Sequence, residues 1–468
     1  MLSLCLDPER GRGVEGLTLL ATVSWPNRRR VESDAVAASS VTLMFPWRIL
    51  KHASIARSSL ESTRYLLIGG GLASNQAAKQ LRQLDAEATI TLVTEEPYVP
   101  YDRPPLSKEF LRGEKTTDHL LYDPDSFYQD QRIDVLLGTA VQHLHLAEKN
   151  VRLSNGRTLY FEKALIATGG RPIRLNIPGT DVPGVHYLRT LDDAASLAAH
   201  AMPGSKAVVV GAGFIGLEVA ASLTQRSVHV TVIESESRIW PRFAGTGLAQ
   251  VISDYCANRG VAFRTNETVN EIHRHNQAFS VDLKSGATLP CNFLCIGVGI
   301  VPNVELAQQA GLAVENGVVV NEFLQTSHPD VYAAGDVANY PDPFFGKRRR
   351  VEHWGHAEYC GQLAAQNMTG AKNPYDLLTY VWSDIFDLHL EFAGDESEYD
   401  QVLTRGRLED QSFILLYLKQ HVLRAYFAVN ANPKDFQPLQ RLIRNRKDMS
   451  GKASHLQDPA VPIKSLLG

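Results

Sequence analysis

Cysteine is scarce in this chain of 468 residues: Cys5, Cys256, Cys291, Cys295 and Cys360 make five, an odd number without framework spacing, and none falls between Cys5 and Cys256. That usage excludes a disulfide-stapled scaffold and fits a reducing compartment, so the expected location is cytoplasmic. A dominant charge sign is also lacking, with 47 Lys and Arg against 51 Asp and Glu and a formal net charge of -4. A chain this near neutrality offers nucleic acid no overall attraction. No apolar run reaches membrane-spanning length. The length exceeds what one core fills, and ordinary domain sizes give about three domains.

Residues 1–63 differ from the rest, mixing Arg and Ser with short apolar runs such as SVTLMF. Asp7, Glu9, Glu15, Glu32 and Asp34 argue against a transit peptide. Arg28–Arg30 raise a twin-arginine export signal, but Glu32 and Asp34 stand where its apolar segment should begin. A disordered extension, or a start placed too far upstream, is expected.

From Arg64 the pattern sharpens. RYLLIGGGLASNQAAKQLRQLDAEATITLVTEE runs from an apolar strand through a glycine cluster and a helix to a second apolar strand ending in acid. That is the βαβ unit that binds dinucleotides: Gly69 permits the tight turn, Gly71 lets backbone approach a pyrophosphate, and the helix N-terminus supplies partial positive charge. Ser74 replaces the third glycine and is small enough for close helix packing. Glu95 ends the second strand, where a carboxylate accepts ribose hydroxyls. The unit recurs in KAVVVGAGFIGLEVAASLTQRSVHVTVIESE, with Gly211, Gly213 and Gly216 in full register and Glu234 ending the next strand. Glu234 favours NADH, because a carboxylate binds a free 2′-hydroxyl and repels a 2′-phosphate; Arg238 nearby softens the preference. Two more strands end in glycine turns, one at Gly169 and Gly170, the other at Gly335 followed by Asp336.

These motifs, in this order, resemble the two-dinucleotide flavoprotein reductases of glutathione-reductase-type architecture over residues 64–468. YDRPPLSK, VEHWGHA and VWSD are similar to the branch of ferredoxin, rubredoxin and putidaredoxin reductases, which also holds apoptosis-inducing factor. The resemblance implies an α/β fold with two Rossmann-like dinucleotide-binding domains and a C-terminal α+β domain. It implies an FAD-binding domain over residues 64–178 and 303–376, an NAD-binding domain over 179–302 and a C-terminal domain over 377–468 that covers the flavin and often forms a subunit contact, so a homodimer is open. By motif position Gly69, Gly71, Ser74, Glu95, Arg103, Lys108, Val141, Thr168, Gly169, Asp336, His353, Trp354 and Trp382 would hold FAD. Gly211, Gly213, Gly216, Glu218 and Glu234 would belong to the NADH side. Ser74 and the N-terminal extension depart from the pattern.

In the disulfide-reducing branch, a cysteine pair beside the flavin relays electrons as a dithiol, which requires an attacking thiolate. Here YDRPPLSKEFLRG occupies that place without cysteine. Pro104 and Pro105 restrict the backbone, so the segment can hold Lys108 over the flavin ring, where an ammonium stabilises charge developing near N5. The resemblance makes Glu218 its partner. Cys291 and Cys295 are expected on one face of a buried strand as core. His353, His356 and Cys360 show no fourth metal ligand, and flavin contacts from VEHW are preferred. The run Lys347, Arg348, Arg349 and Arg350 is a solvated loop or, more sharply, a docking patch for an acidic carrier whose loss would slow ferredoxin-linked turnover. Beyond Trp382, LHLEFAGD, SFILLYLK and HVLRAYFAVN read as a small antiparallel sheet covered by the helix in KDFQPLQRLIRN.

The expected function is an FAD-dependent NADH reductase that passes electrons singly to a small carrier such as ferredoxin or rubredoxin. The alternatives are an apoptosis-inducing-factor-like NADH-responsive binding protein and a general NADH diaphorase. A disulfide or peroxide reductase is disfavoured by the missing cysteine pair.

Overall fold

The apolar run before each glycine cluster becomes a strand buried on both faces, as continuous hydrophobic strands of parallel sheets are. The structure, a computed structural model, describes residues 61–241, 243, 247–276 and 278–468. Residues 1–60 of the expected extension lie outside these, and Ser62 and Thr63 already belong to the first strand, Ser62–Ile68.

The first sheet has seven strands. Along its main path the order is Ile133–Leu136, Ile90–Val93, Ser62–Ile68, Thr158–Ile166, Asn150–Leu153 and Val141–His145, with Val331–Ala333 also pairing with Thr158–Ile166. Its centre is parallel, with Leu67 beside Leu92 and Leu165. Helix Leu72–Leu84 packs along helix Trp354–Met368 at Ala73 and Gly361, where a Cβ on Gly361 would strike the Ala73 carbonyl. The second sheet is parallel throughout, in the order Ala262–Arg264, His229–Ile233, Lys206–Val210, Phe293–Ile296 and Val185–Tyr187. Helix Phe214–Gln225 follows its central strand.

The last sheet is a five-stranded antiparallel layer, ordered Tyr380–Ile385, Leu388–Gly394, Val422–Val429, Ser412–Lys419 and Gln401–Arg407. SFILLYLK is apolar at successive positions because both faces are covered. Phe413, Leu415 and Tyr417 join a core with Trp240, Phe243 and Leu217 of the second nucleotide unit. Ile414, Leu416 and Leu418 face Leu439, Leu442 and Ile443 of helix Phe436–Arg444. The alternation that gives a strand two faces thus joins this layer to its neighbour on one side and its helix on the other. Among the described residues no helix is long and apolar enough to cross a membrane.

Candidate functional site

The two glycine loops open on one cleft of about 430 Å³, lined from all three layers. Gly71 and Gly213 are the N-caps of helices Leu72–Leu84 and Phe214–Gln225, and neither helix start is closed by a side-chain hydrogen bond. A Cβ on either glycine would meet nothing within 4 Å. Two helix N-termini therefore present bare amides to open space, which fits two dinucleotide pyrophosphates. Behind them the turns are closed. A Cβ on Gly69 would strike the Ala167 carbonyl of the ATGG turn, and one on Gly216 would strike the Gly211 carbonyl.

Of the residues singled out from sequence, Gly71, Arg103, Lys108, Gly169, Gly213, Gly216, Glu218, Asp336, His353, Trp354 and Trp382 line this cleft. Gly69 and Gly211 form its turns, and Ser74 is fully buried in the first helix with no hydrogen bond to its hydroxyl among the described residues. Thr168 donates to the Asn303 carbonyl at 2.8 Å. Glu95 is exposed just past strand Ile90–Val93, while its neighbour Glu96 is bound to Arg103 at 2.5 Å. Val141 stands apart from the cleft, half-buried against the first core at the start of its strand. Glu234 accepts the amides of Ala212 at 2.8 Å and Glu236 at 3.0 Å, at the edge of the second loop.

At the centre, Lys108 Nζ lies 2.9 Å from Glu218 Oε2, with the two residues 5% and 3% exposed. The ammonium also sits 5.0 Å from the centroid of the Trp382 ring. Glu218 is further held by the hydroxyls of Ser107, donating at 2.5 Å, and Ser383, donating at 2.6 Å. A buried ion pair is tolerable only when its remaining lone pairs are satisfied, and here they are. Arg103 donates to the Arg189 carbonyl at 2.7 Å, and the Arg189 guanidinium reaches Asp336 at 2.9 Å. Ser107, Ser383, Arg189 and the cleft-lining Tyr101 and Tyr122 were not singled out from sequence, although Tyr101 and Ser107 lie within YDRPPLSK and Ser383 within VWSD.

The Trp354 indole N–H donates to Asp102 at 3.0 Å and Tyr122 at 3.1 Å. Burial pushes the Asp102 carboxyl up, opposed by hydrogen bonds from Tyr122 and Trp354. His353 caps helix Trp354–Met368 by accepting the Gly355 amide at 3.2 Å. The Trp382 amide points at its other nitrogen at 3.2 Å. A neutral imidazole can accept only one of these at a time.

Burial holds His353 down to about 4, as it does His356 and His186. A histidine kept neutral in the fold contributes its full stability above its unfolded value of 6.5 and loses it as pH falls towards about 4. Unfolding free energies from urea titration are therefore expected to drop between pH 7 and pH 5, by on the order of 1–2 kcal/mol per histidine. Replacing His353 with Asn, which keeps a cap acceptor, should remove its share of that slope.

One sequence expectation, the shared face of Cys291 and Cys295, needs correction, and the basic run Lys347–Arg350 proves to be part strand: Arg348 and Arg349 form a two-residue strand, Lys347 and Arg348 stay exposed, and each of the four cations has a partner. Lys347 pairs with Asp395 at 2.7 Å, Arg349 with buried Asp342 at 3.2 Å and Arg350 with Glu352 at 2.6 Å, while Arg348 donates to Asn339 at 3.1 Å. Cys291 and Cys295 do not share a face. Cys291 ends strand Thr288–Cys291, Cys295 lies in the next strand, Phe293–Ile296, and they enter different cores. Burial pushes both thiols up to about 12. His356 bonds Tyr375 at 3.0 Å and lies 3.5 Å from the Cys360 sulfur. Among the described residues no group of three or more His, Cys, Asp or Glu side chains is placed to hold a metal ion.

Known proteins share this arrangement. The chain is 36% identical over 404 residues to the ferredoxin reductase subunit of 5,5'-dehydrodivanillate O-demethylase from Sphingobium sp., covering 86% of this chain and 97% of the relative. It is 34% identical to rhodocoxin reductase from Rhodococcus erythropolis, covering 81% of this chain and 88% of the relative. Among solved structures it is similar to the covalent putidaredoxin reductase–putidaredoxin complex, with a TM-score of 0.82 and 31% identity over 86% of this chain and 98% of that one. The family model for the reductase C-terminal region matches residues 380–467. The model for the nucleotide-binding part matches residues 63–361, and with both glycine loops opening on one cleft, the chain belongs to the pyridine nucleotide-disulphide oxidoreductase family.

Proposed function

We propose that the protein is an FAD-dependent NADH reductase that passes electrons one at a time to a small iron–sulfur carrier, ferredoxin or rubredoxin. The observation that carries this reading is the buried Lys108–Glu218 pair standing where the two glycine loops converge, in a cleft without a cysteine pair. Its lining holds one cysteine among the described residues, Cys295, whose thiol burial keeps protonated. The ferredoxin, rhodocoxin and putidaredoxin reductases similar to this chain support the choice of acceptor.

A bound flavin supplies the ability to accept an electron pair as hydride and to release electrons singly. The chain supplies the rest. The amides at Gly71 hold the FAD pyrophosphate and those at Gly213 the NADH pyrophosphate. Beside a bound flavin the Lys108 ammonium would stabilise negative charge, and Glu218 keeps that ammonium fixed. Pro104, Val381 and the Trp382 ring help to exclude water. Residues 64–178 with 303–376 carry FAD, 179–302 carry NADH and 377–468 cover the ring face.

Purified protein should carry flavin, bleach on anaerobic mixing with NADH, and regain its colour on mixing with oxidised ferredoxin or rubredoxin. Protein that holds no flavin, or reduced protein that leaves both carriers oxidised, overturns the reading. Coenzyme choice tests the second loop separately. Glu234→Ser removes a carboxylate that would repel a 2′-phosphate, and the ratio of kcat/KM for NADH over NADPH is expected to fall about tenfold or more, equivalent to at least about 1.4 kcal/mol.

A further inference from the structure

Helix Phe214–Gln225 does more than present its N-terminus to the cleft. Its polar side chains one turn apart, together with its C-cap Arg226, all grip one segment, residues 104–111. Glu218 takes the hydroxyl of Ser107 and the ammonium of Lys108. One turn on, Ser222 donates to the Ser107 carbonyl at 2.7 Å. A further turn on, Arg226 donates to the Leu111 carbonyl at 2.9 Å. Positions 218, 222 and 226 are spaced four apart and so share one helix face. Ser107 is held from both sides, by its hydroxyl and by its carbonyl. Ser222 is 1% exposed and Ser107 3%, so these bonds form away from water, where losing one leaves a buried polar group without its partner.

The third side of the carboxylate is closed from the last sheet. Ser383, 1% exposed, donates to Glu218 Oε1, while Ser107 and Lys108 take Oε2. One carboxylate is thereby fixed by three groups from two other parts of the chain, and both of its oxygens are used. The Lys108 backbone is held locally, its amide bonded to the Pro105 carbonyl at 3.0 Å and its carbonyl to the Arg112 amide at 2.9 Å. Lys108 follows the single 3-10 turn Pro104–Ser107, and its ammonium has one further acceptor among the described residues, the Pro104 carbonyl at 3.3 Å.

Resting on the reading above, we infer that Ser107, Ser222 and Ser383 are positioning residues that fasten the Lys108–Glu218 pair to the nucleotide-binding helix, so that occupancy of the second glycine loop sets where the Lys108 ammonium stands. A dinucleotide bound on the amides at Gly213 loads the same helix whose next turns hold Ser107, Lys108 and Leu111. The loop and the lysine then move as one body. Without the serines, the Lys108–Glu218 pair and the Arg226 bond are left as side-chain links between helix and segment, and nucleotide binding and the lysine's position are coupled more weakly.

Hydrogen exchange on the flavin-loaded protein, with and without NAD+, reads this without turnover. In the wild type NAD+ should slow exchange both at 211–217 and at 107–113. In Ser222→Ala and Ser383→Ala the protection at 211–217 should persist while that at 107–113 falls about tenfold, the worth of a hydrogen bond to a buried polar or charged partner. The limiting rate of flavin reduction by NADH should fall by a similar factor with little change in NADH affinity, and Ser383→Thr, which keeps the hydroxyl, should restore both signals. Equal protection of 107–113 in wild type and variants overturns the inference, as does a Thr variant no better than Ala. Absence of NAD+ protection at 211–217 in the wild type contradicts the proposed coenzyme role itself.

Discussion

Lys108→Met is expected to slow the reduction of bound flavin by NADH on the order of 10²-fold, the usual cost of removing one preorganised charge-stabilising donor. Methionine keeps the length and apolar stem but removes the ammonium that stands 2.9 Å from Glu218 and 5.0 Å from the Trp382 ring centre. The substitution also leaves a 3%-exposed carboxylate with only two serine hydroxyls as donors. Breaking a buried pair from one side costs about 3–5 kcal/mol. Much of that loss should return in the double variant Lys108→Met with Glu218→Gln, which buries no uncompensated charge, while the reduction rate should not. Stopped-flow reduction and urea unfolding measure the two effects independently. Equal rates in wild type and Lys108→Met would remove Lys108 from the chemistry.

Gly69→Ala is expected to yield protein with at least about tenfold less flavin and a stability lower by about 2–4 kcal/mol. Gly69 has φ +117°, a backbone region that L side chains rarely adopt. An added Cβ would strike the Ala167 carbonyl, which belongs to the backbone and cannot rotate aside. Ala167 is itself fixed, its amide bonded to the Ile68 carbonyl at 2.8 Å. Gly71→Ala gives the contrast. At φ -88°, with nothing within 4 Å of the new methyl, it should keep stability within about 0.5 kcal/mol. The methyl would nevertheless stand on the face that approaches the pyrophosphate, so flavin binding should weaken. Flavin content by absorbance and urea midpoints separate the two glycines. Similar losses in both would mean that the first loop is a structural turn and not a cradle.

The parts of this molecule legible from sequence are those whose cause is local. Both βαβ units announce themselves because the glycines, the strand before them and the helix after them lie within one short stretch. The strands in LHLEFAGD, SFILLYLK and HVLRAYFAVN and the helix after them were equally plain from their periods. Strand Gln401–Arg407 was missed: in QVLTRGR the two apolar residues, Val402 and Leu403, are adjacent and do not alternate with polar ones, and its Gly406 reads as a turn. The hairpin between Ser412–Lys419 and Val422–Val429 turns on Gln420 and His421, both at positive φ, where an Asn-Gly pair would have signalled it.

The site divides in the same way. Lys108 and Glu218 came from family resemblance, and the structure brings them together. Ser107, Ser383 and Arg189 were invisible because their partners lie 111, 165 and 147 residues away in the chain. A lone serine carries no sign of the carboxylate it will meet. The basic run is a mixed case: Asp342 and Glu352, which pair with Arg349 and Arg350, lie close by in the sequence, whereas Asp395, the partner of Lys347, is brought in by the C-terminal layer.

The absence of a sulfur relay is tested most directly by an anaerobic titration of the flavin-loaded protein with NADH, following the flavin band and counting free thiols at each addition. If electrons leave the ring directly for an outside carrier, the band should bleach completely at about one NADH per flavin, with no new thiol. Uptake of about two NADH per flavin, with two thiols appearing before the band is lost, would show a reducible cystine beside the ring and contradict it.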